Sequence, residues 1–459
     1  MRNRNGVASA ILAGALLAGC GSGGDGKAQT PAQDGTRAPG KTAEPAPGIT
    51  VQLTAPPAYA ADQGWQQTLA WMPKKYSSKP PVAVGAQTDV VAYVTVSEDG
   101  YVTQAREAST GRILFTGKPW EPPTSMSQAG RYGYDGDWVE LPSVSTAFQD
   151  GREYVVTWAH GILGEDALNK GKEVVRLAVY PADASGDTVA PQREIDIPVQ
   201  TLGANRGNDA ADLRVEDYGT GLQVHWTGSS SGAVAVDLAT GTIDTCGDSC
   251  AKGAAGEIRT GKGWLVQDTV FGSFQVPGAW TAFDAIPPGA SAKKGEVSTD
   301  GVYRSVTRGH VFSSWHTQAD KILSPLTAVH EAATGKLETS MPCEIRHDHA
   351  VASPNGRFVA DGTVAFDLQR RQGTCLSKNE QRKEDVFVTA VTDAGTAYGT
   401  VGNGRGDAST AEVDLAGGTG TPKLLPPGTV VPSWALRDTG VFLTPGPSGG
   451  LLVSALKHK

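Results

Sequence analysis

The chain is poor in the features that mark most large folds. Among 459 residues there are 4 methionines, 5 cysteines and 7% aromatics, and only 19% of residues are charged. No long stretch keeps a 3.6-residue apolar period, which excludes a helical bundle or a doubly wound α/β sheet. The Ala/Leu/Gly-rich run from Val7 to Ala18 is shorter than the roughly 20 residues a membrane-spanning helix needs. Positive charge is in deficit, with 40 Lys and Arg against 48 Asp and Glu for a formal charge of −8. That balance argues against a nucleic-acid partner and against docking on anionic lipid by charge. What is abundant is glycine, 58 residues, with 28 prolines. Such a composition belongs to an all-β chain that turns often.

The stretch from Gly232 to Ile243 alternates apolar and polar residues, turns on Thr240-Gly241 and starts a second strand. Weaker copies recur at Gly100–Leu114, Leu326–Leu337, Thr363–Leu368 and Ala411–Leu415, with looser ones at 175–180, 280–284 and 451–454. Aligned on Asp237, the best members fall at Asp237, Asp284, His330, Asp367 and Asp414. Spacings of about 37 to 47 residues suit the four-stranded blades of a propeller and are too long for one hairpin.

At the start of the chain, Arg2 and Arg4 precede the short apolar run, and Leu17-Ala18-Gly19-Cys20 follows it. This pattern resembles the bacterial lipoprotein signal motif. It implies a signal peptide over residues 1–19 and a mature chain lipidated at Cys20, of net charge −10 once Arg2 and Arg4 are lost. Several acyl chains hold a protein on a membrane stably where one would not. Residues 20–50 read as the lipidated cysteine and a disordered tether, with too little apolar surface to offset ordering entropy. Residues 51–459 read as one repeat domain.

Eight blade-like units are expected, beginning near residues 81, 143, 213, 258, 303, 349, 386 and 431. Seven is the alternative, because the fourth and eighth units are weak. The eighth offers only three strands, and the segment 64–71 is expected to supply its fourth. Pairing the two ends of the chain in this way leaves no open sheet edge around the ring.

These repeats resemble the eight-bladed propellers of the quinoprotein-like (PQQ-like repeat) kind, and more generally WD40-like lipoproteins of actinobacterial type. The family's strong form ends in Gly-x-x-x-Trp, and the stretches Gly111–Phe115 and Gly335–Thr339 lack that tryptophan. The adjacent Cys-Cys pair of quinone-cofactor dehydrogenases is absent as well, so no cofactor is expected.

Beyond Cys20, Cys246 and Cys250 are spaced to close a small loop, and Cys343 to meet Cys375 across the sixth unit. An exported compartment permits both bridges. A Cys-x3-Cys without a second pair is not a zinc site, and no metal is expected. His347-Asp348-His349, if extended, sets two imidazoles on one face about 7 Å apart, but no third ligand is visible. Gly228–Gly232 matches Gly-x-Ser-x-Gly without the following helix of a nucleophile elbow, and Arg405-Gly406-Asp407 reads as a chance match in a glycine-rich turn.

In a propeller, connections from a blade's fourth strand to the next blade and from its second to its third strand leave one face. The long insertions here are mostly of that kind: 118–141, 160–172, a blade-four loop holding Phe271 and Phe274, and 316–325. The first carries Trp120, Tyr132, Tyr134, Asp135, Asp137 and Trp138, expected to contact a ligand with the four rings at least partly exposed; the alternative is that the aromatics pack the loop down onto the ring. The strand-end aspartates are expected to cap turns. The function expected is a membrane-anchored, extracytoplasmic and monomeric binding platform for a protein or glycan. An exported enzyme acting on a glycan, with Asp135 and Asp137 as acid and base, is the alternative.

Overall fold

The computed structural model describes residues 47–73, 79–125, 141–201, 213–226, 231–246, 257–267, 273–293, 300–319, 322–346, 350–379, 382–402, 409–418 and 420–459. All of them belong to the unit Glu44–Lys459. Eight sheets, each built on four antiparallel strands, follow one another along it. The innermost strands are Val82–Gly85, Ser143–Gln149, Leu213–Asp217, Ile258–Thr260, Val302–Thr307, Ala350–Ala352, Val386–Val391 and Trp434–Ala435. Residues from all eight of these strands line one central cavity, so the sheets stand as the blades of an eight-bladed β-propeller.

The core lies between blades. Eight separate apolar clusters occur, one at each junction of successive blades, because each blade buries both of its faces. The junction of blades two and three is thick, with Trp158, Leu177, Ile197, Leu222 and Val236 among its members. Among the described residues the junction of blades three and four is thin, its buried members being Ala233, Cys246, Trp264 and Val266. Blade four itself is short-stranded, its outer two strands being Phe274–Val276 and Trp280–Thr281.

The ring closes as expected. Tyr59–Leu69 pairs antiparallel with Leu451–His458, in a register running from Gly64 opposite Leu456 to Leu69 opposite Leu451. Gly64 has φ +138°, and a Cβ there would meet the Ala455 carbonyl oxygen, so only glycine fits. Trp65 is fully buried, and its indole N–H donates to the Ala108 carbonyl of blade one at 2.8 Å. Burying such a side chain contributes about 3 kcal/mol, which ties the closing strand to the next blade as well as to its own.

The turn between third and fourth strands is specified by an acid, two residues, Thr and Gly. Asp237 Oδ1 accepts from the N–H groups of Ala239 and Thr240, both at 2.9 Å, and the Gly241 N–H donates to the Asp237 carbonyl at 2.7 Å. The turns at Glu107–Gly111 and Glu331–Gly335 repeat that backbone bond at 2.8 Å, with Thr110 and Thr334 donating to the glutamates. The acid of blade five is therefore Glu331, and the alignment on His330 lies one residue early. Asp284 is also displaced from its expected place. The third strand of blade four is Phe274–Val276, and Asp284 ends a 3-10 turn after the fourth strand.

Candidate functional site

Strand order fixes which residues meet at each face of the ring. The first strand of a blade runs away from the loop-rich face and the second runs back, so starts of first strands and ends of second strands share that face. On the side of blades three to five this brings Trp226, Glu257, Gln267 and Tyr303 to the rim of the central cavity, whose volume is about 880 Å³.

Glutamine clamps set the level of these residues. Gln223 Nε2 donates to the Arg259 carbonyl at 2.8 Å, and the Arg259 N–H donates back to Gln223 Oε1 at 2.7 Å. One blade on, Gln267 bridges to the Gly301 carbonyl and the Tyr303 N–H, both at 3.3 Å. Two residues from the first clamp, in the direction of the loops, His225 of blade three and Glu257 of blade four stand level. The His225 ring meets Tyr218 edge-on at 5.4 Å between centroids. The indole of Trp226 lies over Gly232, where a Cβ would come within 2.2 Å of the ring. The glycine that opens the most regular repeat is thus the seat of a cavity-lining tryptophan.

Glu257 has the least ordinary surroundings of the group. It is 5% exposed, and its Oε1 is enclosed without a hydrogen-bond partner. Burial pushes its carboxyl up from 4.5 to about 7, because desolvation penalises the charged form. Burial, and then the nearby charge of Glu257, raise the Tyr303 phenol. The Trp226 indole nitrogen is enclosed and makes no hydrogen bond.

The other carboxylates that line the cavity have structural work. Glu216 pairs with Lys79. Asp217 accepts from the N–H groups of Gly219, Gly221 and Phe148 at 2.7, 3.1 and 2.8 Å. Among the described residues, no group of three or more His, Cys, Asp or Glu is arranged to hold a metal ion.

The insertion singled out in the sequence is reached only at its start. Thr124–Ser125 pairs with Gly161 and Ile162, which sets the start of the insertion, residues 118–125, beside the 160–172 hairpin. Trp120, expected to be partly exposed, is instead 5% exposed and belongs to the core between blades one and two. Its backbone bridges to Tyr101 in both directions, at 2.7 and 3.3 Å, and this pulls the ring inward. One edge of it lines a groove of about 450 Å³ with Lys118, Gln192, Arg193 and Glu194.

Tyr132, Tyr134, Asp135, Asp137 and Trp138 lie outside the described residues, as do Cys20, Cys250, Phe271, His347 and His349. Phe274, assigned from sequence to a loop, is fully buried in the third strand of blade four. The 316–325 segment is a continuation of the hairpin formed by His310–Ala319 and Ile322–Glu331. Cys343 and Cys375 form a disulfide with 5.6 Å between α-carbons, and Cys246 is likewise disulfide-bonded.

No family model matches the chain, and no curated protein matches it. Three solved structures are similar to it at 11–14% identity. The Dos1 propeller has 11% identity and a TM-score of 0.39, covering 86% of this chain and 94% of that one. A eukaryotic initiation factor has 11% identity and a TM-score of 0.33 over 76% of this chain and 89% of its own. Puromycin hydrolase has 14% identity and a TM-score of 0.34 over 90% of this chain and 55% of its own.

Proposed function

We propose that this β-propeller is a non-enzymatic binding platform of an extracytoplasmic lipoprotein, anchored through Cys20, and that its ligand seats at the cavity rim formed by blades three to five. The observation that carries the reading is Glu257, a buried carboxyl whose Oε1 has no hydrogen-bond partner, beside two aromatic side chains. A polar group enclosed without a partner costs stability, so its retention at a cavity wall fits a partner that arrives from outside. Glycoside hydrolysis asks for two carboxyl groups flanking one bond, whereas Glu216 and Asp217 are committed to an ion pair and a turn. One observation favours the second reading, an exported enzyme acting on a glycan: a carboxyl poised near pH 7 suits a general acid.

Membrane fractionation of wild type and Cys20→Ser tests the anchor, with release of the variant expected. Retention equal to wild type would remove that part of the reading. The released protein is then incubated with oligosaccharides. Binding without product formation supports the platform, and turnover abolished by Glu257→Gln would replace it with the enzyme.

A further inference from the structure

We infer that the rim of the cavity at blades three to five recognises its ligand through an organic cation, an ammonium group seated on the Glu257 carboxyl between the rings of Trp226 and Tyr303. The inference rests on the binding reading above and names the chemistry of that same site. Its starting point is a missing counter-ion. Glu257 is 5% exposed with an enclosed, partnerless oxygen, yet the cavity it faces is also lined by Lys79, Arg214, Arg304 and Arg308.

All four of those cations have partners. Lys79 pairs with Glu216, Arg304 Nε donates to Ser314 Oγ at 2.8 Å, and Arg308 donates to the Pro354 carbonyl at 2.9 Å. Among the described residues no basic side chain pairs with the Glu257 carboxyl, and burial is the influence that shifts it. A carboxylate in a poorly solvated wall gains most from a cation delivered to it, since the attraction grows as the local dielectric falls.

The aromatic neighbours select the kind of cation. Trp226 and Tyr303 line the same rim, and the His225–Tyr218 pair adds two more rings. Aromatic faces attract ammonium groups through the ring quadrupole, tryptophan most strongly. A neutral polyhydroxy ligand would also pack on those rings, but it would gain nothing from ionisation of Glu257. An anionic ligand would add a second negative charge beside Glu257. Among the described residues the ionisable side chains around this rim are Arg214, Tyr218 and His225 of blade three, and Tyr303 and Arg304 of blade five. Seating an ammonium stabilises ionised Glu257, so binding near pH 7 releases a proton from it.

Calorimetry on the full chain tests this with four probes: choline, n-butylammonium, glucose and 3,3-dimethylbutan-1-ol, the uncharged isostere of choline. Intrinsic fluorescence of wild type and Trp226→Phe reports whether each probe reaches the rim. At least one of the two ammonium probes is expected to bind roughly tenfold or more tightly than the isostere, with proton release at pH 7. The choline and n-butylammonium arms separate a quaternary from a primary ammonium. Glu257→Gln, checked for an unchanged circular dichroism spectrum, is expected to abolish both the preference for the cation and the proton release, and to leave isostere binding as it was. His225→Asn, a change to the neighbouring imidazole, is expected to keep the proton release.

Equal binding of choline, n-butylammonium and the isostere to wild type would overturn the inference, as would a Glu257→Gln variant that keeps the cation preference. If glucose or the isostere perturbs Trp226 while neither ammonium does, the cation is wrong and the binding rim stands. If no probe perturbs Trp226, the rim is not a binding site and both readings fall.

Discussion

The fourth and sixth blades each bury an acidic side chain, and they treat it in opposite ways. In blade six, Asp367 is 2% exposed and receives two bonds from the Arg357 guanidinium, at 3.1 and 2.6 Å, and one from the Arg370 N–H at 3.2 Å. The Arg357 guanidinium holds its carboxyl below the ordinary carboxylate range. In blade four, Glu257 is about as inaccessible, has no such partner and is pushed the other way. Blade six is further tied by the Cys343–Cys375 disulfide, while blade four rests, among the described residues, on a thin junction. Similar burial with opposite electrostatics separates a carboxyl that builds the fold from one the fold merely tolerates.

The comparison is broken most severely from the side of blade six. Replacing Cys343 and Cys375 together by alanine opens a loop with a sequence separation of 32, and chain entropy alone assigns this a loss of about 3–4 kcal/mol. A denaturant titration showing an unchanged midpoint would mean that blade six does not depend on its cross-link.

A smaller effect of the opposite sign is expected in blade four. Folding raises the Glu257 pKa, so between about pH 4.5 and 7 the native chain keeps a proton that the unfolded chain has released. Its contribution to stability therefore falls as pH rises through that window and is level above it. The full shift is equivalent to about 3 kcal/mol, and screening by cavity water reduces this to about 1–2 kcal/mol. Glu257→Gln should be more stable than wild type by that amount at pH 8 and nearly equal to it at pH 4. His330, pushed down to about 4 by burial, gives the reverse slope between about pH 4 and 6.5. It is common to both proteins, so their difference isolates Glu257. A variant less stable than wild type at pH 8 would give Glu257 a structural role like that of Asp367.

Sequence and structure agree where the signal is local and periodic. Alternating strands with Thr-Gly turns mark the blades, and the missing fourth strand of the last unit points to the Trp65 segment. The acids at strand ends read correctly as turn caps at Asp237 and Asp414, since the groups they bind are two to three residues away. Alignment fails where blade four shortens, because Trp280–Thr281 imitates a third strand while pairing as a fourth. Trp120 misleads for a different reason. Its burial depends on a bridge to Tyr101, and nothing in the insertion itself records that partner. The rim is the least legible part. Glu257 sits in no motif, and it meets its neighbours through Gln223 and Gln267, side chains on other strands that set the register between blades.

The protonation of Glu257 is open to direct measurement by a site-resolved titration. Carbon-13 NMR of the glutamate carboxyls, with Glu257→Gln to assign the resonance, should give a midpoint near 7 for this group. Addition of whichever ammonium probe binds should move that midpoint down. A midpoint in the ordinary range, about 4.3, that neither probe shifts would contradict the account, because Glu257 would then be satisfied within the empty protein.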